Sequence, residues 1–256
     1  MDVLIFLNGL LISRLCFVFH DQPLPNRTFY TLAIVQAGLA LAVFGFGLWT
    51  LLMILLTLLT LIAPERWLPA NALNESRLVG LGVLLLAGLA LSDRLDMAGW
   101  LASAHSMLLD RLWNWGLQVQ TLRPAAWALF GFWLVANEVN LLIRILFHRF
   151  HLEPRLLSND PASEADLDRQ EYNAGRIIGI LERWLMYSVM VASQSIAVIA
   201  VIMAAKGFAR FRQLEERAFA EYVLIGTLAS TLLTLLIAQL IGGPMESVSV
   251  RATPIQ

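Results

Sequence analysis

The stretch 175–230, GRIIGILERWLMYSVMVASQSIAVIAVIMAAKGFARFRQLEERAFAEYVLIGTLAS, decides the fold class of this chain. It contains two long apolar segments joined by a basic connector, and ionisable residues lie at the edges of both segments. About 20 apolar residues are enough to cross a bilayer as a helix. The stretch therefore predicts transmembrane helices. Its charges need a partner or a route to water, because a charge in hydrocarbon is costly.

The composition of the whole chain is that of a membrane protein. Of its 256 residues 58% are hydrophobic and 14% are charged, and the mean hydropathy is +0.69, whereas soluble domains are about 45–50% apolar and about 25% charged. The net charge of −1 argues against a nucleic-acid partner. Cys16 is the only cysteine, and the His148 and His151 pair is more typical of two histidines at the membrane interface than of a metal site. We therefore expect no metal site and no other cofactor.

The hydropathy pattern predicts an all-α polytopic bundle of six transmembrane spans, or five if the N-terminal helix lies at the interface. The predicted spans are 3–19, 30–63, 77–91, 125–147, 184–205 and 219–241. They form a single membrane domain over 1–256, with a polar connector at 148–174 and a tail at 245–256. The run 30–63 is too long for one perpendicular span, so it is expected to tilt or to bend near Gly45 and Gly47. Two spans in that length would leave too few residues for each plus a turn.

The segment 97–122 has a different pattern, in which leucines and tryptophans recur every three or four residues. Ser103, Ser106, Asp110 and Asn114 occupy the opposite side. This periodicity predicts an amphipathic surface helix, whose tryptophans suit the membrane interface.

The loop cations, which set the orientation of a membrane protein, divide evenly between the two sides of the six-span arrangement. Arg66 and Arg77 fall on one side of it, and Arg27 falls on the other. The density of cations in 206–217 predicts that this connector is cytoplasmic and that both termini are outside.

Glu138, midway along the fourth predicted span, is the strongest single candidate for a functional residue. On a helix, Asn137, Asn140 and Arg144 lie within one narrow arc, and Glu138 flanks it. Such a stripe must face protein or a water-filled cavity. Glu138 is then either a proton acceptor or cation ligand, or a carboxylate that pairs with an arginine to hold helices in register.

The fifth predicted helix carries a second polar stripe, made of Arg176, Arg183, Tyr187 and Gln194. Glu182 lies on another face, where it is placed to meet a cation of a neighbouring helix. We expect Glu138 to supply the counter-ion for the arginines of this stripe.

Cations and one acid border the basic connector. Lys206 and Arg210 can pair with Glu221, which opens the sixth predicted helix. Together with Arg212 they can also bind anionic lipid headgroups.

Four segments, NEVNLLIR (137–144), GRIIGILER (175–183), AAKGFARF (204–211) and AEYVLIGTLAS (220–230), resemble the C-terminal pattern of a family of bacterial integral membrane proteins of unknown function. The resemblance covers roughly 138–230. It implies a polytopic domain in a bacterial plasma (inner) membrane, and it implies no reaction.

Three functions remain open. The first is a channel or small transporter, in which the polar stripes line a path for an ion or small solute. The second is a scaffold or assembly subunit, in a homo-oligomer or a larger membrane complex, whose charges pair between helices. The third and least favoured is a lipid-modifying enzyme, because no catalytic residue can be named from the sequence. The lipid bilayer is a partner in all three.

Overall fold

The computed structural model describes residues 2–20, 22–69, 72–115, 121–150, 164–193, 196–209 and 217–251, and all regular structure among them is helical. Side chains are described within these ranges except at 164–174, 193, 196, 209, 217–219 and 244–251. The helices are α1 Asp2–Arg14, α2 Asn26–Phe44, α3 Leu48–Ile62, α4 Leu73–Ala90, α5 Gly99–Asn114, α6 Arg123–Arg149, α7 Glu164–Ser193, α8 Ile196–Ala209 and α9 Arg217–Arg251. A 3-10 turn, Leu15–Phe19, extends α1, and a π-helical turn, Ala63–Trp67, extends α3.

Within the described ranges, six helical segments are long and apolar enough to cross a bilayer. They are Asp2–Phe19, Asn26–Phe44, Leu48–Trp67, Leu73–Ala90, Arg123–Arg149 and Ala220–Gly243. The predicted all-α class is confirmed, and the six segments indicate a multi-pass membrane protein. The number of spans matches the prediction, but the segments differ. The run 30–63 makes two of the six, and no described helix within 184–205 is among them.

The run 30–63 is two helices and not one bent span. Gly45 ends α2 with φ +72°, in the left-handed region that favours glycine, and its N–H donates to Leu41 O at 2.8 Å. The prediction was wrong because the polar residues that flank the run looked like loops. In the structure α2 already begins at Asn26 and the π-helical turn continues to Trp67, so each helix is long enough to cross.

The chain forms two compact units, and the single membrane domain over 1–256 stays a prediction. The first unit is Met1–Trp133 with Ile241–Gln256, and the second is Leu134–Leu240. The boundary falls inside α6. A continuous apolar composition cannot show such a division, because both units have lipid as their main solvent.

In the first unit, α1 to α4 run alternately up and down. At one end, which we call the Gly45 end, the rings of Phe6 in α1 and Phe44 in α2 lie 5.4 Å apart. At the opposite end, the Glu65 end, Arg66 Nη2 donates to Asn26 Oδ1 at 2.8 Å. Arg27 therefore lies at the same end as Arg66, and not on the opposite side as the one-span interpretation required.

α5 lies on the surface of the first unit, as the amphipathic pattern predicts. None of its residues is buried. Its start is fixed at the Gly45 end, where Ala98 N–H donates to Val43 O at 2.8 Å and Trp100 Nε1 donates to Ala42 O at 3.0 Å. Its position at the membrane interface stays a prediction.

In the second unit, α7 and α8 fold back on each other. Lys206 in α8 pairs with Glu182 in α7, 24 residues earlier in the chain. Because 24 residues of straight helix span about 36 Å, the predicted single span over 184–205 is wrong, although residues 194 and 195 lie outside the described ranges. Hydropathy is continuous across the run and does not register a reversal. α8 has 14 residues, about 21 Å of helix, which is too short to cross a bilayer alone.

Smaller differences concern the ends of the elements. α4 starts at Leu73 and includes Arg77, which the prediction used as the first residue of a span. In the predicted polar connector, residues 151–163 lie outside the described ranges and α7 is helical from Glu164. In the predicted tail, α9 continues to Arg251, although its apolar part ends at Gly243.

Candidate functional site: a buried polar cluster in the second unit

The polar stripe of α6 is buried in the second unit. Asn137, Glu138 and Asn140 are all buried, and Arg144 is half-buried. Asn137 Nδ2 donates to Glu138 Oε1 at 2.7 Å, so the carboxylate and the amide form one polar group inside the helix bundle. The burial agrees with the prediction that this stripe faces protein or a cavity.

Two amide atoms of the stripe are buried with no hydrogen-bond partner among the described residues. They are Asn137 Oδ1, an acceptor, and Asn140 Nδ2, a donor. A buried polar atom left without a bond costs about 1–3 kcal/mol. The stripe therefore has bonding capacity that the described side chains and backbone do not use.

Arg183 of α7 joins this stripe to α9. Its side chain is 3% exposed. Nε donates to Val135 O at 2.8 Å and Nη2 donates to Ala136 O at 3.4 Å, both on α6, while Nη1 donates to Ser230 Oγ at 3.4 Å on α9. One guanidinium thus connects three helices one turn from Glu138.

The remaining members of the predicted α7 stripe are buried where they can be described. Arg176 and Tyr187 are buried, and Gln194 lies outside the described side chains. Glu138 as counter-ion of these arginines stays a prediction. The hydrogen bonds of Arg183 go to carbonyl and hydroxyl oxygens.

The polar face of α9 packs inward. Ser230, Thr231 and Thr234 are buried; Thr234 Oγ1 donates to Ser230 O at 2.8 Å, and Thr231 Oγ1 contacts Met186 Sδ at 3.8 Å. At the other end of the unit, the Phe147 ring lies 4.6 Å from the Tyr222 ring. The ring contact places the start of α9 beside the end of α6.

The acids and cations near the connector pair differently from the first expectation. Glu182 meets a cation of a neighbouring helix, as predicted, and that cation is Lys206. Glu221, the alternative partner of Lys206, is exposed. Arg210 and Arg212 lie outside the described residues.

The first unit contains a buried charged network that sequence reasoning missed. Arg77 Nε donates to Glu65 Oε1 at 2.7 Å, and Leu24 N–H donates to Glu65 Oε2 at 2.7 Å. Arg77 Nη1 donates to His20 O at 2.8 Å, and Arg14 Nη2 donates to Arg77 O at 2.9 Å. The sequence signal was that Glu65 and Arg77 flank the same short connection, between α3 and α4. These two residues are predicted to pair only if α3 and α4 are recognised as a helical hairpin.

Comparison of this chain with known proteins adds no further assignment. No family model, no curated protein and no solved structure matches the chain.

Proposed function

We propose that this integral membrane protein provides a path through its second unit for an ion or small polar solute, as a channel or small transporter. The observation that carries the proposal is the fold-back of α8 on α7 next to the buried polar stripe of α6. α8 is too short to cross the bilayer alone, and it returns along α7 instead of continuing it. Interrupted helices of this kind build the substrate sites of many transporters.

The bonding state of α6 supports the same proposal. Asn137 Oδ1 and Asn140 Nδ2 are an unused acceptor and an unused donor close to the Glu138 carboxylate. Water or a polar solute that passes between the helices would bond both atoms. A purely structural stripe gains nothing from such atoms, since each one reduces stability.

A scaffold or assembly subunit is the second candidate, and the first unit favours it. There the charges of Glu65 and Arg77 bond to each other and to backbone atoms of the connection between α1 and α2. This is the arrangement expected of charges that hold helices together.

From the four segments quoted in the sequence analysis we also propose a relationship to the bacterial membrane family and a location in the inner membrane.

The test is ion flux in proteoliposomes that contain the full chain. Proton entry is followed with entrapped pyranine after an acid pulse, and chloride efflux is followed with an ion-selective electrode. We expect flux above that of protein-free vesicles, and a loss of at least about tenfold in Glu138→Gln, because the variant removes the buried negative charge. Thr57→Val is the matched control: Thr57 is equally buried, lies in the first unit and bonds only within its own helix, to Met53 O at 2.7 Å.

The outcomes separate the two candidates. Flux that falls in Glu138→Gln and persists in Thr57→Val supports a path through the second unit. Wild-type vesicles that show no flux with either probe contradict it, and loss of an oligomer in Glu138→Gln would then support the scaffold.

A further inference from the structure

We propose that the second unit binds a small monovalent anion in the groove between α7, α8 and α9. The groove is small and partly open. It is lined by Glu182, Met186, Ile202, Met203, Lys206, Thr227, Ser230 and Thr231. The proposal concerns binding, and it stands whether or not the chain moves the ion.

The first argument is the charge of Arg183. This guanidinium is 97% buried, since its side chain is 3% exposed. Among the described residues its partners are the carbonyls of Val135 and Ala136 and the hydroxyl of Ser230, none of which carries a formal charge. Glu182, the carboxylate that acts on this charge, is shared with Lys206, and a buried cation that is only partly compensated is destabilising. An anion close to Ser230 would remove that cost.

The second argument is the charge balance at the groove. Lys206 and Glu182 pair with each other there, with side chains 19% and 18% exposed. The charge of Glu182 also acts on Arg183, the next residue, so one carboxylate serves both cations. Two cations and one carboxylate leave one net positive charge, which selects an anion with one negative charge.

The third argument is the supply of hydrogen-bond donors. Ser230 Oγ accepts from Arg183 and lines the groove, so its own hydrogen is available to a second partner. Thr227 adds a hydroxyl, and the hydroxyl of Thr231 contacts only the weak acceptor Met186 Sδ at 3.8 Å. Hydroxyl donors beside Met186, Ile202 and Met203 suit a weakly hydrated anion such as chloride or bromide, because the apolar wall cannot replace the hydration shell of a phosphate.

The experiment is chloride binding to the purified full chain in detergent, measured by ³⁵Cl NMR line broadening. We expect broadening that bromide and nitrate reverse and that sulfate and phosphate, at equal ionic strength, do not. Arg183→Gln also breaks the bonds to α6, so the informative variant is Ser230→Ala. It should weaken chloride binding about tenfold, the effect of losing one hydrogen bond to a charged group.

Thr234→Val is the matched control for Ser230→Ala. Thr234 lies one turn further along α9, is fully buried and bonds to Ser230 O, and it does not line the groove. Its chloride binding should equal that of the wild type. The proposal is overturned if the wild type shows no broadening beyond that of protein-free detergent, or if both variants lose binding equally. It is also overturned if sulfate competes as well as bromide. Broadening lost in Lys206→Gln and unchanged in Ser230→Ala overturns it too, since it would assign the anion to a partly exposed lysine alone.

Discussion

Replacing Arg77 by methionine removes the cation of the buried pair at the Glu65 end while keeping much of the side-chain volume. The side chains of Arg77 and Glu65 are 1% and 0% exposed. In the variant the Glu65 carboxylate keeps the Leu24 N–H but loses its counter-charge, and the carbonyl of His20 loses its donor. Breaking a buried pair from one side costs about 3–5 kcal/mol. We expect the free energy of unfolding to fall by that amount.

The double variant Glu65→Met with Arg77→Met separates the pair from the packing. It leaves no buried charge and a similar side-chain volume, although Leu24 N–H and His20 O lose their partners. Its cost should be at least about 2 kcal/mol smaller than the sum of the two single variants, because charges in direct contact are not additive.

The assay is unfolding in mixed micelles with rising SDS, followed by circular dichroism. Arg66→Met is the control, because Arg66 directly follows Glu65 but is exposed, bonds to Asn26 and lies over the Phe29 ring. Its free energy of unfolding should fall by no more than about 1 kcal/mol. Single variants that cost as little as Arg66→Met, or a double variant equal to their sum, would refute the argument that Glu65 and Arg77 act as a buried pair.

Two further predictions test the helix hairpins of the first unit. A Cβ at Gly80 would lie 3.1 Å from Thr60 Cβ and 3.2 Å from Thr60 O, whereas a Cβ at Gly82 would have no neighbouring atom within 4 Å. In SDS unfolding, Gly80→Ala should lower the free energy of unfolding by about 1–3 kcal/mol, and Gly82→Ala should leave it unchanged or raise it by up to about 1 kcal/mol. Equal effects of the two variants would contradict the close α3 to α4 contact. In a Cys16→Ser background, a membrane-impermeant thiol reagent should label Arg27→Cys and Trp67→Cys from the same side of the membrane and Phe46→Cys from the other, because α2 and α3 each cross. Labelling of Arg27→Cys and Trp67→Cys from opposite sides would restore the single-span interpretation.

Residue periodicity was enough to predict much of the candidate site. Asn137, Glu138 and Arg183 each fall on a polar stripe within an apolar helix, and the cost of exposing such a stripe to lipid predicts that it is buried. The partner of Glu182 was also predictable as a cation from another helix. These conclusions needed only the helical repeat and the free-energy cost of placing a charge in hydrocarbon.

What the sequence could not predict depends on where the chain turns back. Arg77 looked like the boundary of a span because it is charged, and its burial requires Glu65 to lie opposite it on a hairpin. Lys206 was expected near Glu221 or lipid headgroups, and it pairs with Glu182 because α8 reverses onto α7. A hydropathy profile does not show where a helix reverses direction. The residues that such a reversal brings into contact lie far apart in sequence.

The Glu65 to Arg77 pair also bears on the order in which the protein is assembled. α1 to α4 meet as consecutive hairpins, so most of their contacts form between helices that are synthesised one after the other. Arg77 is made 12 residues after Glu65, and it bonds back to carbonyls of the first connection, at His20 and Gln22. Until α4 arrives, Glu65 and these carbonyls must stay in contact with water. Docking of α4 is therefore the step that allows this end of the bundle to become dry.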